Sequence, residues 1–135
     1  MRKPVSLLIL IFAVITLGMG FAFGADNPEL IIKSPKDGST VEPNSKLGRV
    51  VVVQFEVKNF EIKDFTKNTE VKPNEGHIHF QLDSHPYVTH TTDTAFVIGD
   101  VKPGLHTLTV ELVHNDHTPL EPPVKQVIHF TMEEK

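Results

Sequence analysis

Beyond Gly24 this chain places apolar residues at every second position in one short segment after another, and almost nowhere at the spacing of an amphipathic helix. Ile78, Phe80 and Leu82 alternate with His77, His79 and Gln81, and Leu108, Val110 and Leu112 alternate with Thr107, Thr109 and Glu111. Ile128, Phe130 and Met132 alternate with Val127, His129 and Thr131. Successive side chains of a strand point to opposite faces, so each run specifies a strand with one apolar face. Residues 50–57 form a β-branched run dense enough for burial on both sides over part of its length, and 30–34 and 94–98 supply two more strands. Turn signals separate these runs at Pro35-Lys36-Asp37-Gly38, Gly99-Asp100 and Lys102-Pro103-Gly104.

This punctuation predicts an all-β chain, an antiparallel immunoglobulin-like or cupredoxin-like β-sandwich of about seven strands. The expected core is Val51, Val53, Phe55, Ile78, Phe80, Leu82, Phe96, Leu108, Val110, Leu112, Ile128 and Phe130. The same parity sends His77 and His79 outward or to a rim. Two connections stand out. Residues 60–76 are polar and end in Pro73-Asn74-Glu75-Gly76, a length that marks a functional loop or a short edge strand. Residues 115–123 carry His117 and three prolines.

The first residues read as a leader. Arg2 and Lys3 precede an apolar run over 5–17, and Ala22-Phe23-Gly24 offers a small-x-small cleavage signal. The expectation is a signal peptide over 1–24 and a single β-sandwich domain over 25–135, in the periplasm or secreted; an uncleaved membrane anchor is the alternative. Cleavage leaves 111 of the 135 residues, the size of one compact domain. Loss of Arg2 and Lys3 takes the formal net charge from −4 to −6, which argues against nucleic acid and, after cleavage, membrane surfaces as partners. There is no cysteine, so stability rests on burial and sheet hydrogen bonds, and neither a thiolate ligand nor a cysteine nucleophile is available.

All eight histidines fall between His77 and His129. Imidazole is a common ligand of Zn(II) and Cu(II), and two imidazoles two apart on a strand can occupy neighbouring coordination positions. His77 and His79 alone cannot close a site, but His114 and His117, at the end of a later strand and in its loop, offer further ligands, as does His106. The competing explanation is a polar face that happens to contain two histidines. Met132 is the one methionine beyond the leader, which argues against a blue-copper centre or a thioether Cu(I) carrier. Glu75 and Asp83 flank the His77 strand and can orient imidazoles as hydrogen-bond acceptors. Gly-x-Ser-x-Gly, His-Glu-x-x-His and phosphate-cradling motifs are absent, and the chain is expected not to be an enzyme.

Three segments recur as a set: residues 34–41 (Ser-Pro-Lys-Asp-Gly-Ser-Thr-Val), residues 76–83 (Gly-His-Ile-His-Phe-Gln-Leu-Asp), and 103–108 (Pro-Gly-Leu-His-Thr-Leu) leading to Asp116-His117-Thr118-Pro119. In this the chain resembles a family of small exported bacterial domains of unknown function, whose members pair a Ser-Pro-x-Asp-Gly opening with Gly-His-x-His and Pro-Gly-x-His-Thr-Leu strands. The resemblance implies an immunoglobulin-like sandwich outside the cytoplasm, with His77, His79, His106 and His117 at the family's histidine positions. Members often carry a further histidine beside the His-x-His step, where this chain has Ile78 or Phe80.

The function expected from these readings is an exported divalent metal-binding domain. It would hold Cu(II) or Zn(II) through His77, His79 and His117, with His106 or His114 as further candidates. The partners are the metal ion and an envelope protein. The alternative is a metal-free immunoglobulin-like interaction or structural module of the cell envelope, docking through a sheet face or the 60–76 connection.

Overall fold

The alternating runs pair into two sheets that close over one apolar core. The computed structural model describes residues 26–135; the leader expected over 1–24 lies outside the described residues. The strands are β1 (Glu29–Ser34), β2 (Ser39–Val41), β3 (Val51–Lys58), β4 (Glu61–Ile62), β5 (Glu75–Leu82), β6 (Val88–His90), β7 (Phe96–Ile98), β8 (Gly104–His114) and β9 (Pro119–Met132). The smaller sheet has the order β1-β3-β7 and the larger β2-β9-β8-β5-β4, with β6 also paired to β5. The long ladders β5–β8 and β8–β9 are antiparallel, and two short pairings, β2–β9 and β4–β5, are parallel. The all-β expectation holds; β4 is the short edge strand allowed for within 60–76, and the additions to the expected strands are β2 and β6, each three residues long.

Side-chain parity decides the layers. Ile78, Leu108, Val110, Leu112, Ile128, Phe130 and Met132 of the larger sheet meet Leu30, Val51, Val53 and Phe96 of the smaller one in a single buried cluster. Phe55, Phe80 and Leu82 pack against that cluster while staying partly exposed, and Phe80 stacks on Phe96 with ring centroids 4.2 Å apart. Val101 and Leu120 join the core from connecting or bulged segments. Strand β9 starts five residues earlier than the alternation predicts. Its partners on β8 jump from Leu112↔Val124 to Val113↔Pro119, so Pro122 and Pro123, which have no N–H to donate, lie where β9 has left the ladder.

Two features of this frame position the site. A Cβ added at Gly76 would lie 1.9 Å from the Val113 carbonyl oxygen, so only glycine lets β5 pass β8 this closely, one residue before His77. The outer face of β5 is the second feature: it is covered rather than solvated. His77 has no exposed surface and His79 is 9 % exposed, against the expectation of outward or rim histidines. The parity is as expected, and the burial comes from a further layer of connections: the residues between β4 and β5, the β5–β6 turn and the β8–β9 turn.

Candidate metal centre

Strand β5 sets two imidazoles side by side, and a hairpin turn brings the third. His77 and His79 project from the same face of β5, beside Val113 and Glu111 of β8. The β8–β9 connection is a tight turn: His117 N–H donates to the His114 carbonyl (2.9 Å) and His114 N–H donates to the Thr118 carbonyl (2.8 Å). Asp116 steadies it, its Oδ1 accepting from Thr118 N–H (3.1 Å) and Thr118 Oγ1 (2.6 Å). The last loop residue of such a hairpin takes a left-handed conformation, which ordinarily selects glycine. Here that residue is His117, with φ of 69°.

The result is a triangle of ring nitrogens. His77 Nε2 lies 3.1 Å from His79 Nε2 and 3.1 Å from His117 Nδ1, and the last two are also 3.1 Å apart. A neutral imidazole nitrogen presents one N–H or one lone pair along a single in-plane direction. At most one of the three contacts can therefore be a well-directed hydrogen bond, whereas three lone pairs aimed at a common point are what a cation requires. The three residues form a group able to hold a metal ion. Burial, followed by the neighbouring His79 and His117, lowers the pKa of His77 to about 4. Burial, followed by His117, lowers that of His79 as well. Both rings are thus neutral near pH 7, the form that coordinates metal.

Aromatic side chains wall the cluster. Phe65 packs on His77 and His117 with centroid separations of 4.8 and 4.6 Å, and Tyr87 stacks on His79 at 4.3 Å. Phe65 is aimed by its own turn, in which Asp64 Oδ1 accepts from Thr66 N–H and Oγ1 while the Asp64 carbonyl accepts from Lys67 and Asn68. Beneath the turn that carries His117, buried Asn115 donates to the Glu70 carbonyl (2.8 Å) and to Glu75 Oε1 (3.0 Å). These bonds tie the β8–β9 turn to the residues just before His77. Sequence reasoning missed Phe65, Tyr87 and Asn115; the Asp-x-Thr spacing at 64–66 and 116–118 is a turn signal that could have pointed to ordered loops at Phe65 and beside Asn115, and nothing comparable marks Tyr87.

The remaining candidates have other partners. His106 faces the core side of β8, with Nδ1 2.7 Å from Asp83 Oδ2 and Nε2 2.6 Å from the Lys102 carbonyl. Both partners only accept, so both bonds form together only in the imidazolium, which cannot ligate a metal. Burial pushes the His106 pKa down, but the bonds to Asp83 and Lys102 outweigh it and hold it above the ordinary value. The structure therefore places His106 outside the cluster as a structural ion pair. His114, set apart by β-strand parity, lies 3.2 Å through Nδ1 from the Lys72 carbonyl and does not join the group. Asp83 orients His106 rather than His77 or His79, and Glu75 holds Asn115 rather than an imidazole. His90 packs on Phe55 and Phe96, and His129 is exposed beside Asp37.

Known proteins place this arrangement only by fold. No curated protein matches the chain. Among solved structures, the endo-beta-1,4-mannanase from Thermotoga petrophila superposes with a TM-score of 0.51 at 13% identity, over 82% of this chain and 20% of that one. An engineered protein superposes with a TM-score of 0.51 at 10% identity, over 80% of this chain and 20% of that one. The chain thus spans about one fifth of either structure, and the likeness concerns the β fold alone. The family relationship is closer: residues 27–135 match the model of a family of unknown function (DUF6130), and the chain belongs to that family.

Proposed function

We propose that this protein is an exported domain that binds one divalent cation, Zn(II) in preference to Cu(II), through His77 Nε2, His79 Nε2 and His117 Nδ1. The observation that carries the reading is the triangle of ring nitrogens 3.1 Å on each side. A cation about 2.0–2.1 Å from each nitrogen sits about 1 Å out of their plane, with N–metal–N angles of about 98°, close to a tetrahedral or facial set. Square-planar Cu(II) needs one trans pair about 4 Å apart, and no pair of the three is so placed. The apolar leader over 1–24 supports export, and the lack of cysteine in an exported chain leaves imidazole as the suitable ligand.

The metal-free interaction reading depended partly on the 60–76 connection as a docking surface. Phe65, in the middle of that connection, is packed on two of the histidines instead. The function is tested by calorimetric titration of untagged protein with Zn(II). One saturable site is expected, strongly weakened by His77→Ala, His79→Ala or His117→Ala and little changed by His129→Ala. Absence of saturable binding, or equal losses in all four variants, would favour the interaction module.

A further inference from the structure

We propose that the cation keeps a fourth coordination position for an exchangeable small anionic or oxygen-donor ligand, with water or hydroxide as its resting occupant. This rests on the metal-binding reading above. Two independent observations carry it. First, among the described residues no fourth His, Cys, Asp or Glu belongs to the group formed by His77, His79 and His117. Three nitrogens on one side of a tetrahedral ion leave one position to be filled from outside the protein, the arrangement of open rather than closed zinc sites.

Second, the three ligands carry no negative charge of their own. Three neutral imidazoles leave a bound divalent cation with its full charge; of the nearby carboxylates, Glu111 lies across the β5–β8 ladder from His79 but outside the metal-holding group, and three others have partners of their own. Glu75 accepts from Asn115 and faces Lys72, Asp83 holds His106 and Thr107 N–H, and Asp116 accepts from Thr118. An anion from solution bound at the open position would supply the compensation. The surroundings also set its route. His77 is fully buried and Phe65 closes the cluster on the His77 and His117 side, whereas His117 and Tyr87 are exposed. Access therefore runs past His117 and Tyr87.

The test uses Co(II) in place of Zn(II), because its visible spectrum reports coordination number and ligand exchange, with azide as the probe. The expected result is a stoichiometric Co(II) complex with the strong visible bands of four-coordination, absent from His77→Ala. Azide should change those bands saturably. A Co(II) complex whose bands do not respond to azide would overturn the open position and leave metal binding standing. Failure to bind Co(II) and Zn(II) at all would overturn the metal reading itself.

Discussion

Replacing His117 by glycine should separate the needs of the fold from those of the site. At φ of 69° a residue with a side chain costs about 1–2 kcal/mol relative to glycine. The substitution relieves that cost. Against it stand the lost edge contact with Phe65 at 4.6 Å, about 0.5–1.5 kcal/mol, and the extra freedom glycine gives the unfolded chain, about 0.5–1 kcal/mol. These nearly cancel, so the metal-free variant should match the native protein within about 1 kcal/mol, or roughly 5 °C in Tm for a chain of this size. Metal linkage should behave differently. Removing an outer hydrogen-bond partner of a ligand costs about 10–100-fold in affinity, so removing a ligand should cost at least about 100-fold. With free Zn(II) at about 1,000 times the native Kd, the ion adds about 4.1 kcal/mol, and a hundredfold weaker site retains about 1.4 kcal/mol. Thermal melts with Zn(II) and with chelator should therefore show the zinc-induced rise cut by about two thirds in His117→Gly. A metal-free variant destabilised by more than about 2 kcal/mol, or one with an undiminished zinc response, would refute the reasoning.

Other perturbations probe the frame and the charges. Gly76→Ala should cost at least about 1–3 kcal/mol in denaturant unfolding, because its Cβ meets the Val113 carbonyl and the backbone must shift; a neutral result would show that β5 and β8 are less closely apposed. Phe80→Ala should cost about 3 kcal/mol or more, since its ring stacks on Phe96, whereas Gln81→Ala should cost within about 1 kcal/mol; comparable losses at both would mean the faces are misassigned. His77 and His79 have pKa values held below that of the unfolded chain. The unfolded state therefore takes up protons first as pH falls below about 6.5, and metal-free stability should be present above that pH and decline below it. His106 has the opposite sign: its raised pKa gives stability that is full below about 6.5 and lost as pH rises through the folded value. Nuclear magnetic resonance titration should show Asp83→Asn lowering the His106 pKa and leaving His77 unchanged.

The long ladders were legible because β5, β8 and β9 each alternate over many residues, with one face apolar. The pieces that escaped, β2 and β6, are three residues long and held by their neighbours, too short for a period to show. Parity also placed His77 and His79 on one face. It could not say that the face is covered, because the cover comes from Phe65 and Tyr87 in connections with no repeating pattern. His117 was visible as a loop histidine, whereas its convergence on the other two depends on a left-handed turn residue where glycine is usual. His106 was set among the candidates because a histidine near a strand end looks alike whether free or paired. Its acceptors, Asp83 and the Lys102 carbonyl, are brought to it only by the fold.

The central claim is that three imidazoles hold one cation, and anomalous scattering at the zinc edge from crystals of the zinc-loaded protein tests it most directly. The account predicts a single strong peak about 2.0–2.1 Å from His77 Nε2, His79 Nε2 and His117 Nδ1, with a non-protein ligand opposite them. A peak elsewhere, such as beside His129 and Asp37, or no ordered peak at the triangle, would contradict it.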